Sequence, residues 1–363
     1  MGSHRRCARH AHEGERALAL AGRERPAVCQ RRPRQGSGPP TPKRTEHPRR
    51  EIRIVKTSTS IRLLAAASLC AASALLGTAA PAAADESADG KSFVAIGDSY
   101  TTNGNIIYSL GFGYGGDKSC QRSDTSWPKQ LAAQMNLAAD DLEDVSCLGA
   151  SLATPPHYTA THMAKLAASA GAFGSKTRLV TIQLGQNDIW NSANRQRALD
   201  AEVTCLPNFI QGCGPDAGLD GRAPDARGVN AEQYVAWIKP VVDYVRYYAP
   251  NAQIVFVGYP TIGERGNPQW CWETPVGRMS QPRAGAMTEF LDKVDDAQRG
   301  AAAALNVGFY DTRAATAGHG SCAADSWING YFNPTGEFLG IPFHPTQHGD
   351  TVTATGIKEQ FGL

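Results

Sequence analysis

The 363-residue chain carries 36 Lys and Arg against 34 Asp and Glu, a formal charge of +2. Residues 1–84 hold 16 of the basic and five of the acidic residues, which leaves 20 against 29, a net charge of −9, in residues 85–363. An acidic part of that size excludes a nucleic-acid binder, whose affinity rests on neutralising phosphates, and its length suits one large domain.

Residues 1–54 contain 14 Lys or Arg against five Glu, with Arg-Arg pairs, prolines and almost no aromatics. Such a segment cannot bury enough apolar surface to offset its chain entropy and is expected to be disordered; a basic arm for nucleic acid is the alternative reading. Lys56 and Arg62 then precede an apolar Ala/Leu run over 63–80, which ends in Pro81-Ala82-Ala83-Ala84 before Asp85. A basic start, an apolar middle and a small-residue exit predict a secretory signal peptide over 55–84. On that reading Val55 is the true start, residues 1–54 are a mis-annotated extension, and 85–363 is the exported domain. A membrane anchor is the weaker reading of the run, because of its small-residue exit.

Cys7, Cys29 and Cys70 fall in the front part, and six cysteines remain after it. An even number in an exported chain predicts three disulfides, with 15 possible pairings. Cys205 and Cys213 bracket a short loop and make the easiest pair. No short Cys or His spacing suits zinc, so neither metal nor cofactor is expected.

Ser92 to Ile96 reads as a buried strand, Trp127 to Leu137 as a helix, and Arg178 to Leu184 as a second strand. A helix over Ala231 to Tyr248 is stopped by Pro250, and strand Gln253 to Val257 follows. A helix over Met287 to Leu305 and strand Val307 to Tyr310 complete the series. Strands alternating with helices predict a parallel sheet with helical crossovers and a ligand crevice beyond the strands' carboxyl ends. The stretches 103–126 and 204–228, rich in Gly and polar residues, are expected to be loops.

The residues just after the strands are the chemically interesting ones. Gly97-Asp98-Ser99-Tyr100 places a serine on a strand-to-helix turn, where its hydroxyl is exposed at the sheet's edge. Asn187, in Gly185-Gln-Asn187-Asp188, offers an amide N–H to a developing oxyanion, and the backbone N–H of Gly149 offers another. His344, in Phe343-His344-Pro345, is held to an extended backbone by the proline and titrates in the range a serine's base requires. Each motif alone is an ordinary turn, cap or surface residue.

Taken together and in this order, the four motifs resemble the SGNH hydrolases, the GDSL-type esterases and lipases, in particular the secreted actinobacterial type. The resemblance covers 92–360 and implies an α/β fold, a three-layer α/β/α sandwich with a central parallel sheet, SGNH hydrolase-like and flavodoxin-like. It implies that Ser99 is the nucleophile of an ester hydrolase, with His344 as general base and an oxyanion hole of the Ser99 N–H, the Gly149 N–H and the Asn187 side chain. It also implies the pairings Cys120–Cys147, Cys205–Cys213 and Cys271–Cys322. The family's usual Asp-x-x-His pattern is broken, since Ile341 stands in place of the acid. Some secreted actinobacterial relatives place a backbone carbonyl there, so the Ile341 carbonyl is expected to orient His344, with Asp311 as the alternative acid. Thr346 replaces an Asn that is common after His-Pro, and His348 is the competing base.

The expected protein is a secreted monomer that acts on a small-molecule or lipid ester, with no nucleic-acid partner and no stable insertion into a membrane. A carbohydrate esterase or phospholipase on the same scaffold is the first alternative. Trp270, Trp272 and Trp327 would then stack on sugar rather than pack inside. A non-catalytic binding protein is the second.

Overall fold

A computed structural model describes residues 89–104, 120–155, 158–331 and 340–363. The basic segment, the proposed signal peptide and most of the loop expected at 103–126 lie outside the described residues.

Five short strands form a parallel sheet: β1 (Phe93–Gly97), β2 (Leu142–Asp144), β3 (Leu179–Gln183), β4 (Gln253–Val257) and β7 (Gly308–Tyr310), in the spatial order β2-β1-β3-β4-β7. A two-stranded antiparallel hairpin of β5 (Trp270–Thr274) and β6 (Gly277–Gln281) stands apart from it. Leaving the hairpin aside, the order is the flavodoxin-like 2-1-3-4-5, with its switch point between β1 and β3.

Strand alternation makes the two helical layers. Phe93 and Ala95 of β1, Leu179 of β3 and Val255 and Val257 of β4 point to one side. There they meet Trp127 and Leu131 of α2 (Trp127–Gln134) and Ala354 and Ile357 of α9 (Gln347–Phe361), numbered in chain order. Val94, Ile96, Val180, Ile182 and Phe256 point to the other side. That face is covered by α3 (Ala160–Ser169), α6 (Ala231–Tyr248) and α7 (Gly285–Leu305). With both faces covered, the strands read as unbroken apolar runs rather than alternating ones. The helix expected from Met287 begins two residues earlier, and ends at Leu305 with Asn306 in the left-handed region at φ 51°.

Three features were not expected. β2 is three half-buried residues, too short and too polar to read as a strand. The stretch 198–220 holds two short helices, α4 (Ala198–Thr204) and α5 (Ala217–Asp220). The β5–β6 hairpin places Trp270 and Trp272 inside, with Trp270 Nε1 donating to Thr288 Oγ1 at 2.9 Å, which withdraws both from any sugar-stacking role. Trp327 is half-buried and stacks on His319 at 3.5 Å between ring centroids. Disulfides join Cys120 to Cys147, Cys205 to Cys213 and Cys271 to Cys322, the pairing that the resemblance implies.

Candidate active site

Ser99 is the first residue of α1 (Ser99–Thr102), directly beyond β1. Asp98 caps this turn by accepting the Tyr100 N–H on Oδ1 at 3.0 Å, while its other oxygen accepts the Tyr259 hydroxyl at 2.5 Å. Asp98 is fully buried, and burial pushes its carboxyl up to about 7 against the pull of those two hydrogen bonds. Gly97 has no room for a side chain: a Cβ there would lie 1.9 Å from Thr101 Oγ1. Ser99 stands just beyond the carboxyl end of β1 on this capped turn and is buried, 7% exposed.

The turn at 185–188 follows β3, across the switch point from Ser99. Asp188 is buried and accepts from Leu152 N at 2.7 Å, Ala153 N at 2.9 Å and Thr154 Oγ1 at 3.0 Å. Those bonds clamp the turn to the loop that carries Gly149, and burial pushes the Asp188 carboxyl up to about 6. Gly149 has φ +74°, a conformation that favours glycine. The Asn187 amide donates one hydrogen to Ala150 O at 3.0 Å, which fixes its plane, and its second N–H has no partner among the described residues. Tyr259, just past β4, bridges the two turns: its hydroxyl donates to Asp98 and accepts the Gln186 N–H at 3.3 Å.

The C-terminal loop folds back onto the nucleophile turn. The Tyr100 hydroxyl donates to Phe343 O at 3.1 Å, and Asn103 Nδ2 reaches Pro345 O at 2.9 Å and Asp350 Oδ2 at 2.7 Å. The His344 ring stacks on Tyr100, the neighbour of Ser99, with centroids 4.0 Å apart. His344 Nδ1 lies 2.9 Å from a backbone carbonyl. A carbonyl only accepts, so Nδ1 carries the proton and Nε2 keeps its lone pair. Nε2 is buried with no hydrogen-bond partner among the described residues. Burial lowers the imidazole to about 4, partly offset by that carbonyl, so the ring is a neutral base at pH 7.

The carbonyl is that of Pro342, which corrects the expectation for Ile341. The Ile341 carbonyl accepts the backbone N–H of His344 at 3.2 Å and closes the turn. Phe343 sits at φ +61°, and this left-handed step swings the ring over Pro342 instead. For a bulky residue that conformation is strained. It is held by Phe343's packing against Trp270, Trp272 and Tyr331, at centroid distances of 5.4, 6.1 and 5.8 Å. Asp311 does not serve as the missing acid: it caps α8 (Thr312–Ala315) through Ala314 N at 2.9 Å and pairs with Arg299 at 2.8 Å. His348 is exposed and lies edge-on to Trp327. Among the described residues no three His, Cys, Asp or Glu side chains gather as metal ligands would.

The model of the GDSL-like lipase/acylhydrolase family matches residues 95–352. The chain belongs to this family. It is 28% identical over 312 residues to lipase 1 of Streptomyces coelicolor, covering 83% of this chain and 96% of that one. It is 26% identical over 354 residues to an esterase of Streptomyces scabiei, covering 85% and 97%. The solved structure of an extracellular lipase from Streptomyces rimosus superposes with a TM-score of 0.52 at 24% identity, covering 74% of this chain and 99% of that one. The chain is thus an ester-bond hydrolase on an α/β sandwich.

Four residues of this site escaped the sequence reading: Pro342, Asp188, Tyr259 and Glu202. Asp188 lies inside a quoted motif, Pro342 stands just before one, and Tyr259 sits just past a predicted strand. Glu202 gives no signal, because a glutamate on a short polar helix reads as exposed. It is buried instead, and burial alone pushes its carboxyl up to about 8.

Proposed function

We propose that the chain is a secreted, monomeric serine esterase or lipase in which Ser99 and His344 form a dyad oriented by the Pro342 carbonyl. Ser99 Oγ attacks the ester carbonyl while His344 Nε2 takes its proton. The negative oxygen of the tetrahedral intermediate is held by the Ser99 N–H, the Gly149 N–H and the second N–H of Asn187. Collapse breaks the bond to the alcohol, which leaves with the proton from His344. Water, deprotonated by the same nitrogen, then releases the acid from the acyl-enzyme and returns the proton to Ser99.

The observation that carries this reading is the His344 ring seated on Tyr100, beside Ser99, with a buried Nε2 that has no partner among the described residues. A merely structural histidine would find a partner for that nitrogen. Export is supported by three disulfides and by the signal-like pattern of 55–84. The test is hydrolysis of p-nitrophenyl esters of increasing chain length by the wild type and Ser99→Ala. The variant is expected to lose ~10⁴-fold or more in kcat, as loss of a serine nucleophile does elsewhere. Equal turnover in both proteins removes Ser99 from the mechanism.

A further inference from the structure

Asn103 bears two costs on one residue. It closes α1 at φ 37° and ψ 48°, in the left-handed region that favours glycine and that asparagine tolerates. It is 1% exposed, and its Oδ1 has no hydrogen-bond partner among the described residues. A buried amide oxygen left in that way is unfavourable. The neighbours nevertheless fix the orientation. Nδ2 donates to Pro345 O at 2.9 Å and to Asp350 Oδ2 at 2.7 Å. A carbonyl only accepts, so the nitrogen has to face Pro345.

These bonds join two bodies that are each held separately. The base loop is paired with the segment before it: Asn329 N donates to His344 O, Phe343 N to Asn329 O and Thr346 N to Trp327 O, each at 2.8 Å. Asn329 Nδ2 also donates to Pro345 O, at 3.0 Å. The nucleophile turn is capped by Asp98 and closed by the Asn103 N–H on Ser99 O at 2.8 Å. Among the described residues three hydrogen bonds cross from α1 and its closing residue to the base loop and α9. The Tyr100 hydroxyl makes one and Asn103 makes two. Asn103 thus holds Ser99 through its backbone and the neighbour of His344 through its side chain.

We propose that Asn103 is a positioning residue of the hydrolase, whose amide sets the separation of Ser99 and His344 by holding the Pro345 carbonyl against the nucleophile turn. The proposal rests on the serine-hydrolase reading and adds to it a residue that touches neither substrate nor the reacting atoms. Backbone strain and an unpartnered oxygen at one buried position mark a constraint kept for function. A misplacement of ~1 Å between reacting groups costs on the order of 10²-fold in rate.

The experiment compares the wild type with Asn103→Gly and Asn103→Asp. Glycine keeps the left-handed backbone and drops both side-chain bonds. Aspartate also tolerates that backbone, keeps the volume and turns the donor into an acceptor. On soluble p-nitrophenyl butyrate, kcat is expected to fall ~10–100-fold with KM held within about twofold. A second readout separates positioning from a mere loss of folded protein. Burial is what lowers the His344 imidazole, and a loop released from the turn admits water, so the base should titrate higher. Its midpoint in an NMR titration should move up from about 4 toward 6.5. The acid limb of kcat/KM should follow, so that the deficit is larger at about pH 5 than at about pH 8. An unchanged kcat, a loss confined to KM, or a lower kcat with an unmoved His344 midpoint overturns the proposal. Loss of cooperative melting in both variants also overturns it, by making Asn103 a residue of the fold alone. A wild type without turnover on any soluble ester would strike the serine-hydrolase reading instead, while the NMR titration still reports whether Asn103 holds the loop.

Discussion

The two sides of the proposed dyad are held in opposite ways. Ser99 rides on a capped strand-to-helix turn, with Asp98 as N-cap and Asn103 closing the turn in the left-handed region at φ 37°. Its cap and its closure lie within six residues of sequence, and distant groups such as Tyr259, Gln183 and Pro345 brace it. His344 rides on an irregular loop with a strained Phe343 at its centre. Its geometry comes from rings contributed by 270, 272 and 331 and from a short antiparallel bridge between Ile328 and Pro345. A nucleophile can thus be placed by local rules, whereas its base, far along the chain, needs a tertiary scaffold.

The sharpest way to break this comparison is at Phe343. Phe343→Ala removes a fully enclosed ring that keeps its own backbone in an unfavourable conformation, and should destabilise the protein by ~3–5 kcal/mol in guanidinium denaturation. It should also lower kcat on soluble esters, because the imidazole loses its seat over Pro342. A loss below ~0.5 kcal/mol, within the range of an ordinary surface change, would mean that the loop is held by something other than the aromatic cluster.

Glu202 lies under the same cluster through Tyr331 and gives the second test, one of pH. Its carboxyl ordinarily titrates near 4.5 and is raised to about 8 here. The folded state therefore holds a proton that the unfolded state releases, so stability falls as pH rises from about 4.5 to about 8. His344 acts in the opposite sense: with its folded value lowered from 6.5 to about 4, stability is lost as pH falls through that window. Glu202→Gln keeps the shape and removes the ionisation. It should raise the midpoint of thermal unfolding at pH 8 by several degrees, with little change at pH 4.5, consistent with ~1–3 kcal/mol released. A variant that melts like the wild type at pH 8 would show that the carboxyl is solvated when ionised.

What the sequence revealed follows the same division. The strands β1, β3 and β4 were legible because a sheet covered on both faces produces short apolar runs ending in Gly. Ser99, Gly149 and Asn187 were legible because each follows a strand or sits in a local motif, and the family resemblance supplied their roles. β2 was invisible because it has only three residues, and α4 because its apolar residues face outward and its acid inward, the reverse of the usual helical pattern. The identity of the carbonyl beside His344 was beyond reach. Choosing Pro342 over Ile341 turns on the φ of Phe343, which is imposed by rings more than 70 positions away in sequence as well as by near neighbours.

Asp98 sharpens the comparison from the nucleophile's side, with the smallest expected effect. Asn caps helices about as well as Asp, so Asp98→Asn keeps an oxygen for the Tyr100 N–H. What it loses is the acceptor for the Tyr259 hydroxyl, whose own oxygen already accepts from Gln186. An unmet buried hydroxyl costs ~1 kcal/mol or somewhat more. Against this, the wild-type carboxyl titrates at about 7 rather than 3.8, so the wild type loses stability as pH rises between those values and the amide does not. The deficit of Asp98→Asn relative to the wild type should therefore be largest near pH 4 and shrink toward pH 8, as read by paired denaturation curves at both pH values. A deficit that grows with pH would mean that Asp98 is ionised throughout and that its negative charge, rather than its shape, supports the turn beneath Ser99.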